Sequence, residues 1–367
     1  MGQALCFSFT EEQEAFRATI RQFAADKIEP RAKEIDAEDE YPWDLDELMV
    51  QNGFAGVSYP AEHGGAGGGA VELAILVEEI ARVSAGVSLI PAVNKLGAIP
   101  VLLAGTEAQK KDICTGITEG SHRMSYCLTE PGAGSDASAM TSRAVKSGGQ
   151  WRLDGAKRFI TGAGASDLYT FFAKTDSAPK GKNITAFLVS KDVPGFSLGR
   201  KEDKMGIRGS PTREVVLEGC MVPEENVIGE VNAGFQLAMR TLDYSRPTIA
   251  AQALGIAQGA FDAAVEYCKE RKQFGRPVAE FQGLQFMFAD MAMKIETARL
   301  AVYRAAAAVD DASTDLPYWA AVAKCWASDV AMEVTTDCVQ ALGGYGYIRD
   351  YPVERFMRDA KITQIYE

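Results

Sequence analysis

The chain has 367 residues, 38 basic against 50 acidic, for a net charge of −12; phosphate backbones and anionic lipid surfaces repel such a surface, so general nucleic-acid or membrane binding is excluded. Apolar residues make up 47% and charged residues 24%, the balance of a globular chain with room for two or three domains and a core that needs no disulfide or metal staple. Seven scattered cysteines without a C-x-x-C, and only two histidines, His63 and His122, argue against a disulfide framework, a metal centre and most Ser-His-Asp chemistry, and fit a reducing compartment.

Residues 1 to 121 read as a helical domain. Thr10 and Gln13 form a capping-box signature. Phe16, Ile20, Phe23 and Ile28 follow at helical spacing, and Pro30 marks the end of that helix. A second helix is expected through Val71, Leu73, Ile75, Leu76, Ile80 and Val83. Between them, His63 to Gly69 lacks the spacing and the lysine of a phosphate loop and reads as a flexible connection. No apolar run approaches the roughly 18 residues of a membrane span, and the acidic start has no signal or transit pattern. A bacterial-type cytoplasm is expected, with a processed mitochondrial matrix protein as the alternative.

Residues 122 to 234 change character. Short β-type runs appear (MSYCLT, WRLDG, KRFIT, LYTFFAKT, ITAFLVS, TREVVLEG), separated by Gly, Asp, Asn and Pro, as in a small barrel or sandwich. Residues 235 to 367 return to helices. Pro247 sits early in a run through Ile249, Leu254, Ile256, Phe261 and Val265, a permitted place near a helix start. Two further helices are expected over about 281–309 and 317–341, forming a bundle completed by a fourth helix or a neighbouring chain.

The most distinctive stretch runs from Tyr126 through Leu128, Thr129, Gly132 and Gly134 to Ser135 and Asp136. It is a strand ending in a glycine-rich turn, where a flat or phosphorylated ligand can approach backbone N–H groups. Gly132-x-Gly134-x-x-Ala137 formally matches a degenerate dinucleotide fingerprint, but the following residues are too short for a βαβ unit. Composition alone makes this a plain turn.

TEPGAGSD at 129–136 resembles the signature of the acyl-CoA dehydrogenase family, flavoenzymes that oxidise acyl-CoA thioesters between the α and β carbons. The resemblance continues through Phe159-Ile160-Thr161, where relatives usually carry Trp-Ile-Thr. It then takes in MGIRGSPT at 205–212, RKQFG at 271–275, QALGGYGY at 340–347 and RDAKITQIYE at 358–367. The blocks keep family order over nearly the whole chain. The implied fold is mainly α with a central β domain: an N-terminal helical domain, a middle β-barrel and a C-terminal four-helix bundle.

The resemblance also implies roles. Tyr126, Leu128, Thr129, Gly134 and Ser135 would line FAD, with Ser135 also near the CoA moiety. Phe159, Ile160 and Thr161 would contact the isoalloxazine; phenylalanine keeps the aromatic surface of tryptophan but lacks its N–H. Arg271, Phe274, Phe281, Gln282, Gln340, Gly343 and Gly344 would hold the adenosine and pyrophosphate of a neighbouring subunit's FAD. Gly343-Gly344 also reads as a helix C-cap. Asp243, Tyr244, Ser245 and Arg246 would lie beside the acyl-CoA. Glu367 of the IYE pattern would be the catalytic base, because the alternative position on the bundle helix holds Ser245. Hydride would pass from Cβ to flavin N5 and the electrons to an electron-transferring flavoprotein, in a homotetramer built as a dimer of dimers. Straight short-chain acyl groups are the first expectation, with Ala98, Tyr244 and Leu254 lining the acyl cavity.

The chain departs from the family pattern at both ends. Relatives continue past the base with Gly-Thr and more helix, so a natural tail beyond Glu367 is expected, and Met1 to Leu5 reads as a cloning remnant. Three competing readings are an oxygen-using oxidase-like or nitroalkane-type relative, a catalytically silent FAD- or CoA-binding member, and a nicotinamide Rossmann enzyme. The β-rich middle counts against the last.

Overall fold

The computed structural model describes residues 8–175 and 182–367; Met1 to Leu5 lies outside them. Helix α1 (Glu11–Phe23) begins on a reciprocal capping box: the Gln13 N–H donates to Thr10 Oγ1 at 3.2 Å, and the Thr10 N–H to Gln13 Oε1 at 3.1 Å. Pro30 does not end the helical run. The backbone passes through a π turn (Ala24–Ile28) and a 3-10 turn (Glu29–Arg31), then resumes as α2 (Ala32–Glu38). Pro30 lies at the start of the 3-10 turn, where a missing N–H is tolerated. Helices α3 (Trp43–Gln51), α4 (Ala70–Ala81), α5 (Ala85–Ala104) and α6 (Glu107–Thr118) complete this region.

The glycine-rich connection before α4 is pinned rather than loose. The N–H groups of Ala66, Gly67 and Gly68 donate to the carbonyls of Gly56, Tyr59 and Val57. A Cβ at Gly65 would sit 2.1 Å from the Tyr59 carbonyl oxygen, so the close backbone approach explains that glycine. Asp310, remote in sequence, caps α4 by accepting from the N–H groups of Ala70 and Val71 at 2.6 and 3.1 Å.

The middle region holds β1 (Met124–Cys127), β2 (Arg143–Ser147), β3 (Gln150–Thr161), β4 (Leu168–Thr175), β5 (Ile184–Ser190), β6 (Phe196–Lys201), β7 (Thr212–Pro223) and β8 (Val227–Ile228). They form one eight-stranded sheet in the order β6-β7-β3-β2-β4-β5-β8, with β1 parallel on β4. Trp151, Leu153, Tyr169, Phe171, Phe187, Val215 and Leu217 meet in a single core, so the sheet wraps round it. Phe172 faces the other way, into a core shared with Ala98, Val101 and Ile113 of α5 and α6. Strand β4 is therefore covered on both faces, which is why its sequence is a continuous apolar run. WRLDG and KRFIT are one strand, β3, whose pairing with β7 slips at Leu153/Gly155 and again at Lys157/Ile160. Strands β2 and β6 are exposed and mostly polar, and show no apolar alternation in sequence.

The C-terminal region holds α7 (Gly234–Glu270), a hairpin of β9 (Lys272–Gln273) and β10 (Arg276–Pro277), α8 (Gln282–Asp310), α9 (Leu316–Leu342) and α10 (Val353–Thr363). Helix α7 begins thirteen residues before Pro247, so that proline is internal and not near the start. The three long helices share one core with α4, α5 and α10, through Leu73, Leu254, Ile295, Val302, Val334 and Phe356. Helix α5 overturns the expectation about apolar runs: its mean hydropathy of 1.7 is enough for a membrane span, yet 67% of that window is buried in the protein. It is a core helix.

The 205–212 block ties the sheet to α10. The N–H of Ile207, in the left-handed region at φ 48°, donates to Asp359 Oδ1 at 2.5 Å. Burial pushes the Asp359 carboxyl up to about 6. Arg358 pairs with Asp36 and Glu354, both at 2.7 Å. These contacts fix the end of α10, and with it the last four residues.

Candidate active site

Past α10 the chain curls back on itself. The N–H groups of Ile365 and Tyr366 both donate to the Ile362 carbonyl, and Glu367 takes a left-handed φ of 57°. Its side chain meets α7: Ser245 Oγ donates to Glu367 Oε2 at 2.5 Å. The Glu367 carbonyl accepts from Arg246 Nε at 3.1 Å, and Arg246 also pairs with Asp243 at 3.3 Å. Pro247 follows directly; lacking an N–H, it leaves the Asp243 carbonyl without its usual helical donor. Lys324 of α9 donates to the Tyr366 carbonyl, and the Tyr366 hydroxyl donates to Gln252 of α7.

Burial pushes the Glu367 carboxyl up, against the hydrogen bond from Ser245 and the positive charges of Lys324 and Arg246. Tyr126 of β1 is also driven up by burial, and the charge of Glu367 adds to the effect. Tyr126 thus belongs to the same neighbourhood, with its hydroxyl donating to the Ala238 carbonyl at 3.4 Å. Tyr244 does not join; it packs against Ala308, Leu316 and Ala320. Ala98 and Leu254, expected together in an acyl cavity, lie in two different cores.

A second surface surrounds the glycine-rich turn. Gly134 and Ser135 are exposed, and a Cβ at Gly132 or Gly134 would meet nothing within 4 Å. The Thr129 carbonyl accepts from the Arg158 N–H at 2.8 Å, and the Thr161 carbonyl from Ser125 Oγ at 2.7 Å. Leu128 and Ile160 point into the core. Phe159 is 60% exposed, with φ 58°, because the extra residue at the Lys157/Ile160 slip turns it outward.

Beneath this surface lies a pair that the sequence reading missed. Lys157 is wholly buried and donates to Glu130 Oε1 at 2.8 Å and to the Leu128 carbonyl at 3.1 Å. Glu130 also accepts from the N–H groups of Thr141 and Ser142 at 2.5 and 3.0 Å. Burial works to raise the Glu130 carboxyl, but Lys157 and these donors outweigh it and hold the group at about 2. Strand parity was the available signal: Trp151 and Leu153 face the core, and Lys157 shares their side.

The third surface is a cleft of about 810 Å³ lined by Arg271, Phe274, Phe281, Gln340, Gly343 and Gly344, among others. Gln282, at the start of α8, is exposed and does not line it. Gly343, at φ 60°, caps α9, and a Cβ on Gly343 or Gly344 would meet open space. Phe274 is 93% exposed. No residue of the sheet region lines the cleft, so one chain carries two separate surfaces. Among the described residues no cluster of three or more His, Cys, Asp or Glu could hold a metal.

Three family models match in order: the acyl-CoA dehydrogenase N-terminal domain over residues 10–121, the middle domain over 125–220 and the C-terminal domain over 232–367. The chain is 51% identical to a probable acyl-CoA dehydrogenase of Mycobacterium tuberculosis, over 98% of this chain and 93% of that protein. The chain belongs to the acyl-CoA dehydrogenase family.

Solved structures agree with this acyl-CoA dehydrogenase fold of N-terminal helices, central sheet domain and C-terminal helical domain. Butyryl-CoA dehydrogenase from Megasphaera elsdenii superposes with a TM-score of 0.96 at 44% identity, covering 99% of this chain and 96% of that one. A chain in a structure concerning the electron transferring flavoprotein of Acidaminococcus fermentans and flavin-based electron bifurcation superposes with a TM-score of 0.96 at 47% identity, over 99% and 95%. The protein is accordingly an oxidoreductase of the acyl-CoA dehydrogenase class.

Proposed function

We propose that this acyl-CoA dehydrogenase oxidises short straight-chain acyl-CoA thioesters to trans-2-enoyl-CoA, with Glu367 as the base. One observation carries the reading: the Glu367 carboxylate sits where α10, α7, α9 and β1 converge, in surroundings that raise its basicity. The α-C–H of a thioester is a weak acid, and a desolvated carboxylate is the group that can remove its proton. Ser245 orients Oε2 and Arg246 fixes the Glu367 backbone. The Glu367 N–H is the donor we assign to the developing enolate oxygen. Asp243, Arg246 and Ser135 would flank the CoA ester.

FAD fits the two remaining surfaces. The open glycine floor at Gly343 and Gly344, with Arg271 beside it, suits the adenosine and pyrophosphate. Outward Phe159 and the turn at Thr129 to Ser135 suit the ring system. When bound, FAD supplies the hydride acceptor for the β carbon, so the protein's task is positioning. The two surfaces lie apart within one chain, which supports a cofactor held between subunits. Exposed Phe286, Met293 and Leu300 recur every seven residues on α8 and supply an apolar stripe for assembling a homotetramer. The electron acceptor we assign is an electron-transferring flavoprotein, in line with the protein named in one matched structure. The described cysteines are unpaired, which supports a reducing cytoplasm.

The short-chain assignment rests on Gln252. It is fully buried and donates to the Ala85 carbonyl and to Ser88 Oγ, both at 3.0 Å, while accepting from Tyr366. Held by Tyr366, the residue before the base, it is the side chain we assign to limiting acyl length. The test is the visible spectrum before and after anaerobic addition of butyryl-CoA. A yellow protein whose flavin band bleaches is expected, and a Glu367→Gln variant that stays yellow, binds acyl-CoA and does not bleach. Near-native bleaching by that variant overturns the assignment of the base, and oxygen consumption during turnover overturns that of the acceptor.

A further inference from the structure

We propose that Lys324 of α9 is a positioning residue for catalysis: by gripping the Tyr366 carbonyl it aims the N–H of Glu367 and balances that residue's charge. The proposal rests on the reading of Glu367 as the base. Its geometric core is a double clamp. Two consecutive carbonyls, those of Tyr366 and Glu367, are each held by a cation, one from α9 and one from α7.

A trans peptide is planar, with its C=O and N–H pointing in opposite directions. The Tyr366 C=O and the Glu367 N–H belong to one such unit. Holding the carbonyl on Lys324 therefore fixes where the N–H points, and this is the group assigned above to the enolate oxygen. The left-handed backbone at Glu367 is a conformation that a non-glycine residue keeps only when its surroundings impose it; the two cations are what impose it here.

The ammonium itself needs an explanation. Lys324 is half-buried, and among the described residues no carboxylate lies within ion-pair distance of it. Burial lowers its proton affinity, and the charge of Glu367 is the largest influence opposing this. The groups acting on Glu367 are Ser245 and Arg246 from α7, Lys324 from α9 and Tyr126 from β1, with Asp243 paired to Arg246 and Cys325 beside Lys324 behind them. Tyr366 joins them from its own segment, with Asp359 acting on Tyr366 in turn. Arg246 already shares its charge with Asp243. Lys324 is thus the cation whose removal most changes the carboxylate's surroundings.

The experiment compares Lys324→Met, Lys324→Gln and Lys324→Arg holoenzymes by kcat, KM and the acidic limb of the kcat/KM profile, with flavin absorbance measured alongside. Lys324→Met should keep its flavin and a KM within about threefold, but lose roughly 100-fold in kcat, the scale of one misaimed oxyanion donor. Its acidic limb should move to higher pH by about one unit, as expected on removing a nearby opposite charge. Lys324→Arg should restore the native limb; Lys324→Gln, a donor without charge, should recover part of kcat and keep the displaced limb. A native kcat and limb in Lys324→Met overturn the proposal. If that variant does not fold, coincident limbs in the Gln and Arg variants overturn it and separated limbs support it. Turnover by Glu367→Gln would remove the base and this proposal together. An inactive Glu367→Gln with a native Lys324→Met profile would remove this proposal alone.

Discussion

Gln252 shares its side-chain amide among Ala85, Ser88 and Tyr366, so truncating it opens space and strands the Tyr366 hydroxyl, while Ser88 keeps its bond to the Ala85 carbonyl. A Gln252→Ala variant should raise kcat/KM for octanoyl-CoA relative to butyryl-CoA by about tenfold, the scale of one or two newly accommodated methylenes. It should also lower stability by roughly 1–3 kcal/mol, the cost of buried polar groups left unpaired. Steady-state kinetics on the two substrates and a thermal melt check both. At this scale the residues were unevenly legible. Glu367 was named by resemblance to a family pattern, because nothing in its local sequence distinguishes it from a solvated glutamate. Its burial and its bond to Ser245 come from α7, 122 residues away in sequence. Lys157 was passed over because a lysine in a strand reads as surface unless its parity is followed.

Among the elements, α7 and α4 are in backbone contact. A Cβ at Gly255 would lie 2.2 Å from the Glu78 carbonyl oxygen, and one at Gly259 2.0 Å from that of Arg82. In an exposed helix Gly→Ala would stabilise; here the added methyl must push two helices apart. Gly259→Ala should therefore destabilise by about 1–3 kcal/mol, the usual cost of overpacking, seen as a lower midpoint in denaturant at unchanged slope. A raised midpoint would mean that the two helices separate freely. Long helices with clear periodicity were readable: the expected 281–309 and 317–341 correspond to Gln282–Asp310 and Leu316–Leu342. Pro30 and Pro247 were not, since proline signals a local break but not whether packing carries the helix through it. Strands β2 and β6 were missed because a polar, exposed strand is defined by its hydrogen-bonded neighbours and not by its own pattern.

For the whole molecule, the stripe of Phe286, Met293 and Leu300 lies on the exposed face of α8. Met293→Asp should therefore break the proposed tetramer into smaller assemblies while leaving the protomer folded, because the side chain is exposed in the single chain. Light scattering after size exclusion measures this. A persistent tetramer would show that another face joins the subunits. Aspartate at this position removes apolar contact area without disturbing the core residues Met291 and Ile295 on the opposite side of the helix.

Composition and local pattern by themselves determined the order helical, β, helical and the glycine-rich turn at 132–134, since these depend on residue type and short-range spacing. Family-like blocks then assigned those segments a chemistry. The tertiary structure alone decided that Lys157 lies buried under the turn, that α5 is a core helix despite its hydropathy, and that Tyr126, Ser245, Arg246, Lys324 and Tyr366 converge on Glu367. The physical reason is the same in each case. Burial, and the partners that make it tolerable, come from residues far apart in the chain, and no local window of sequence contains them.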